Sequence, residues 1–415
     1  MRPLTLRLLI ALLLLLDGCA SAPYGTDSAS SSSLARIDHI VVIYAENRSF
    51  DSLYGLYPGA NGIANATPAS WTQTDRNGAA LSTLPPVWKA GATPDPAYPR
   101  DLPNRPFRID AAPVNLPLSV ATRDLIHRFY TNQEQINGGK LDRYAAMSDA
   151  GGLAMGYYDG SSLPMWRLAR EYTLADNFFM GAFGGSFLNH FWLICACTPV
   201  FPNAPPALSS ALDANGKLAL ASSSPASALS GPPRYVNDGA LTPDGFAVNT
   251  IQPPFEPSNI PPAPGADPRF ADPQKNPLPP QTVKTIGDTL SAKGIDWAWY
   301  SEAWNDALAD GMQPAGVPRK VIDNDAPGAP DFKTHHQPFN YLSKYASGTA
   351  ERSQHLKDYS DLLAQIRTNS LPPVVFYKPQ GNHNEHPATR MSWPVTCISP
   401  TWSTRSKPAP PGPRH

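Results

Sequence analysis

The sequence predicts an α/β fold built on a mostly parallel sheet with helices on both faces. Three observations predict it. Short apolar runs rich in β-branched residues end in polar clusters, as parallel strands do at their carboxyl ends. Segments with helical periodicity alternate with those runs. Glycine and proline punctuate the boundaries. In chain order, residues 40–44 read as a buried strand that delivers Glu46 and Asn47 at its end. Residues 163–171 read as a helix, and 172–179 as a second strand candidate. The apolar run 187–196 reads as a helix that starts beside Ser186. Residues 285–293 form a further helix with Gly294 as its stop, followed by a strand over 295–300. A helix over 359–367 and a strand over 374–377 complete the pattern.

The N-terminus points to export. Arg2 and Arg7 flank the apolar run 8–16, which is too short to span a bilayer and fits a signal peptide over 1–18. Leu16-Asp17-Gly18-Cys19 resembles a lipoprotein cleavage box, so Cys19 is the expected lipidated residue and the expected membrane attachment. Residues 19–36 then form a Ser- and Ala-rich tether. The expected location is the bacterial periplasm, attached to the outer membrane or secreted. With a formal net charge of −1, the chain offers no electrostatic argument for a nucleic-acid partner. Its 48 prolines and 29 glycines predict long stiff loops, above all in an insertion over about 200–282. Cys195 and Cys197 stand too close in sequence to bridge each other comfortably and read as packing residues.

Three clusters carry the chemistry. Glu46-Asn47 places a carboxylate beside an amide oxygen, two hard ligands for a metal; the plain alternative is a polar turn after a strand. Gly184-Gly185-Ser186 sets a hydroxyl at a helix N-terminus, where free N–H groups favour an anion. Ser186 there is either a nucleophile or simply a cap. Histidines recur beside strand ends: His127, the pair His335-His336, and His386 in the segment after 374–377. Such imidazoles can hold phosphoryl oxygens or protonate a leaving group.

Together these clusters resemble one family, the bacterial phosphoesterases that join phospholipases C with a group of acid phosphatases. The matching pieces are Glu46-Asn47-Arg48-Ser49-Phe50-Asp51, residues 135–142, Met155-Gly156-Tyr157-Tyr158, residues 176–190, Ile286-Gly287-Asp288 with 294–300, residues 335–339 and residues 378–387. They are collinear and span the expected catalytic domain, 37–387. The pattern looks closest to the acid phosphatase branch. The resemblance implies a sandwich similar to alkaline phosphatase and hydrolysis of phosphate esters through a phosphoserine. It implies Glu46, Asn47 and Ser186 as ligands of a divalent metal ion of unassigned identity. Ser186 would be the nucleophile; His127, His335, His336 and His386 would surround the phosphoryl group, and Asp142 would orient one of them.

The chain departs from that pattern after Pro387. The family supplies an acidic pair there to complete the metal site, whereas residues 388–415 contain no Asp or Glu. A shifted reading frame near residue 388 would produce such a tail; a divergent C-terminus is the other explanation. The expectation is a C-terminally truncated sheet, an unstable or poorly soluble chain, and little phosphatase activity. Three functions are therefore expected to compete: an exported acid phosphatase, a phospholipase C acting on phospholipid diesters, and a non-catalytic lipid-anchored phosphate-binding protein.

Overall fold

The computed structural model describes residues 37–387 apart from 325 and 327. The expected signal peptide, Cys19, the tether and the tail 388–415 lie outside the described residues. Residues 37–40 group with the N-terminal unit, and the main body begins at Val41. Among the described residues, no helix is long and apolar enough to cross a membrane.

The centre is a four-stranded parallel sheet of β1 (Ile40–Ile43), β2 (Trp297–Ser301), β3 (Leu356–Asp358) and β4 (Val374–Lys378), in the order β1-β4-β2-β3. Trp299 pairs with Phe376 on one side and with Leu356 on the other. All five residues of β2 are buried, as expected for a strand covered on both faces. Trp297, Trp299, Leu356 and Phe376 face one core with Val42. Ala298, Tyr300, Val375 and Tyr377 face the other with Val41 and Ile43. The period of two along each strand produces this division.

Five helices matter to the argument: α1 (Pro164–Glu171), α2 (Ser186–Cys195), α3 (Ile286–Ala292), α4 (Trp304–Gly311) and α5 (Tyr359–Thr368). Helix α2 sends Ile194, and α4 sends Trp304 and Ala307, into the first core. Helix α5 covers the second core through Leu362 and Ile366. A capping box between Thr285 and Asp288 starts α3. Gly294, at φ 68°, follows as the left-handed stop.

The insertion after α2 contains no long element, yet it is packed. Leu241, Ala247, Ile251 and Leu278 close around Phe187, Leu188 and Phe191 on the far side of α2. Burial between two cores explains why α2 carries large apolar residues on opposite faces.

Two sequence expectations are corrected, and one strand went unexpected. Residues 172–179 are not a strand. Asp176 instead accepts the Asn61 backbone N–H at 2.7 Å, and Asn177 accepts from the Asn61 side chain, so side-chain bonding wins over strand propensity. The short strand β3 escaped the reading because three residues with Lys357 at their centre give no apolar run. Cys195 and Cys197 form a disulfide. Ala196 turns left-handed at the end of α2 and folds the chain back, bringing the two Cα atoms to 5.1 Å.

Glu256, inside the insertion, is fully buried and accepts the Ser258 N–H at 2.6 Å. Burial pushes its carboxyl up to about 8, against the pull of Arg319 and Arg352. A folded-state value raised above the unfolded one binds extra protons on folding. Its stabilisation is full below about 4.5 and is lost as pH rises through about 8. Glu256→Gln should therefore match the parent near pH 5 and unfold several degrees higher at pH 8 or above, measured by thermal melts across that range.

Candidate active site

The carboxyl ends of β1 and β4 build the floor of the site. Backbone pairing continues past β1, with Tyr44 N–H donating to Tyr377 O and Glu46 N–H to Asn384 O, both at 3.0 Å. This aims the Glu46 side chain inward, where it is almost wholly buried. Lys378 Nζ, itself 1% exposed, lies 2.8 Å from Glu46 Oε2. His336 Nε2 lies 2.9 Å from Oε1, and the Asn384 amide donates to the same oxygen at 3.2 Å. Burial alone would raise the Glu46 carboxyl, but His336 and Lys378 outweigh it and hold the group well below the usual carboxylate range. His190 stacks on His336 at 5.1 Å and donates from Nδ1 to Ser186 O at 2.6 Å. Burial pushes both imidazoles well below their ordinary values, at His336 against the opposing pull of Glu46.

The wall of the site is the start of α2. Gly184 has φ 144°, open to glycine, and a Cβ on Gly185 would stand 2.6 Å from His127 O. The Asn189 side chain donates to Gly184 O and Gly185 O and accepts the Ala182 N–H, which fixes the turn from inside the helix. Ser186 is the first helical residue, and its Oγ lies 2.9 Å from His335 Nε2. Burial lowers the His335 imidazole to about 3. A cleft of about 330 Å³ runs past Glu46, Asn47, Gly185 and Ser186, with Met180 on its rim.

Asn47 is held left-handed at φ 61°, a conformation asparagine tolerates. Its Nδ2 lies 3.2 Å from His127 Nε2. His127 Nδ1 is 2.6 Å from Leu125 O, and a carbonyl only accepts, so the ring proton is on Nδ1. His386 stands beside His127 with ring centroids 5.7 Å apart.

The structure thus brings Glu46 to His336, Ser186 to His335, and Asn47 to His127. Asp142 is elsewhere: its Oδ1 accepts from Asn137 Nδ2 at 2.7 Å, and no hydrogen bond among the described residues ties it to a histidine. Sequence reasoning missed Lys378, His190 and Asp124. Lys378 ends a strand that was read, so the strand-end rule could have found it. His190 lies one helical turn beyond Ser186. Asp124 lies in irregular chain and gave no signal.

The donor set of Glu46, Asn47 and Ser186 does not fit a divalent ion. The only carboxylate is already engaged by an ammonium and an imidazole on its two oxygens. A second cation there would meet Lys378 in a buried space. Among the described residues the group with metal-ligand spacing is instead Asp124, His127 and His386, whose ligating atoms lie within 4.8 Å of one another.

Breaking the ion pair from one side should be costly. Lys378→Met leaves Glu46 buried with its main cation gone and should lose about 3–5 kcal/mol. Adding Glu46→Gln should restore part of that loss, a coupling of about 1 kcal/mol or more by denaturant titration of the four-member cycle.

Residues 37–400 match the model of the Phosphoesterase family. "Phospholipase C A" of Mycobacterium tuberculosis is 29% identical over 183 residues, 42% of this chain and 32% of that protein. "Phospholipase C B" of the same organism is 26% identical over 185 residues, 42% of this chain and 33% of that protein. The chain spans about a third of the length of these relatives. The family match covers most of the sequence, strand β1 through the histidine loops included, and the chain belongs to the Phosphoesterase family.

Proposed function

We propose that this chain is an exported phosphoester hydrolase that acts on phosphomonoesters through a phosphoserine at residue 186. The observation that carries the reading is Ser186 Oγ on the first turn of α2, 2.9 Å from His335 Nε2. Attack by Oγ on phosphorus forms the O–P bond and breaks the bond to the alcohol. The hydroxyl proton passes to His335 Nε2, which stands within hydrogen-bond reach of Oγ and which burial keeps neutral in the resting site. Negative charge on the phosphoryl oxygens falls at the helix N-terminus. Lys378 neutralises Glu46 behind the cleft, so the nearest buried carboxylate does not repel the ester. Water then attacks the phosphoserine and releases phosphate. His127 and His386, on the other wall, stand where they can contact the phosphoryl group or the leaving oxygen. The Cys195–Cys197 disulfide supports export to an oxidising compartment, as do the signal-like N-terminus and the lipidation expected at Cys19.

A second reading, phospholipase C, is favoured by two observations. The relatives bear that name. Phe178, Phe179, Met180 and Phe183 are all exposed, and Met180 lines the cleft, an apolar rim suited to a lipid ester. Parallel assays on a phosphomonoester and on phosphatidylcholine separate the two: the first reading expects the larger kcat/KM on the monoester.

Ser186→Ala should lower turnover roughly a thousandfold or more on either substrate while leaving the fold intact. The acid limb of the pH profile should also be displaced. His335 acts as a base only when neutral, and its value is lowered to about 3. Activity should persist from neutral pH to about 4 and fall as pH drops through about 3. An ordinary imidazole in this role would already fail near 6.5. Steady-state rates between pH 3 and 8 check this.

A further inference from the structure

We propose that Asp124, His127 and His386 form a binding site for a divalent transition-metal ion of borderline softness, such as zinc or cobalt, next to the turn that carries Ser186. One carboxylate and two imidazoles are a donor set suited to such ions, in contrast to the all-oxygen sets of magnesium and calcium. One ligating atom from each residue can be chosen with all separations within 4.8 Å. Asp124 Oδ1 and His386 Nε2 are 3.6 Å apart. That is beyond the N–H···O range of about 2.7–3.2 Å. Two ligands each about 2.1 Å from a tetrahedral ion stand about 3.4 Å apart, close to this spacing.

His127 lies beside Asp124, with 3.7 Å between Asp124 Oδ1 and the Nδ1 of His127. Its Nδ1–H donates to Leu125 O at 2.6 Å, the type of carbonyl partner that fixes the tautomer of metal-bound imidazoles. The lone pair is then on Nε2, where it accepts from Asn47 Nδ2 at 3.2 Å, a bond that an ion held by Nε2 would replace. Both loops of the site are anchored. Ile126 N–H donates to Asp149 Oδ1 at 2.8 Å, and the Arg123 guanidinium lies 2.5 Å from the same carboxylate. His386 N–H donates to Asn384 Oδ1 at 3.0 Å, and Thr122 N–H to Pro387 O at 3.1 Å. The second pair ties the two ligand-bearing loops together. Side chains 42%, 36% and 16% exposed for Asp124, His127 and His386 leave a path for an ion. His127 packs against Gly185, so the ion would stand beside the nucleophile's turn.

The test is direct binding by the full chain, independent of turnover. The protein is stripped with a chelator and titrated with Co²⁺, and the visible d–d absorption is followed. The expected result is one saturable equivalent. Asp124→Asn and His386→Gln should each raise the Kd at least tenfold while their circular dichroism matches the parent. Ser186→Ala, which removes turnover under the reading above, should keep the band. A chain that shows no saturable band, or a band with the same Kd in Asp124→Asn and His386→Gln, overturns the proposal.

Discussion

The buried pair of Glu46 and Lys378, with His336 on the other carboxylate oxygen, is the constraint on which the site depends. It joins the ends of β1 and β4 to the His335-His336 turn. A lone carboxylate at that depth would be forced to take up a proton or draw in a cation. The ammonium supplies the cation from within the chain. The pair is charge-neutral, so Glu46 can remain ionised without imposing a negative field on an anionic ester. The same bond explains why a metal does not fit at Glu46: the position that a divalent ion would neutralise is already neutralised.

The position of Ser186, the proposed nucleophile, follows from packing rather than from polar bonds alone. Helix α2 is gripped on one side by the sheet core and on the other by the proline-rich insertion. Its first turn cannot drift without opening one of these cores. The insertion has little regular structure, yet it acts as the second jaw of that grip, and this gives a physical reason for a long irregular segment after the helix. Asn189 completes the arrangement by bonding the Gly184-Gly185 turn from within α2.

Much of this was legible in the sequence. Strand runs ending in Glu46-Asn47 and near Lys378 located the floor of the site by their apolar content, although β1, expected to be buried, is only half-buried and leaves Ile40 exposed. The Gly-Gly-Ser turn located the helix start. What escaped depended on partners distant in sequence. Nothing local in residues 172–179 reveals that Asp176 bonds to Asn61 instead of entering a sheet. The Cys195–Cys197 bridge required Ala196 to be left-handed, which composition does not encode. Asp142 was assigned a role through resemblance, whereas its carboxylate serves a local turn. Asp124 acquires meaning only when two loops, tied at Thr122 and Pro387, bring it to His386.

The central claim is that Ser186 becomes phosphorylated. The most direct measurement is to mix the full chain with a phosphomonoester, quench with acid within the first turnovers, and locate added phosphate by peptide mass spectrometry. The account predicts phosphate on Ser186, absent from Ser186→Ala and diminished in His335→Gln. Ester hydrolysis by the parent with no phosphate on Ser186 at any quench time, or with equal labelling of another residue in Ser186→Ala, would contradict it.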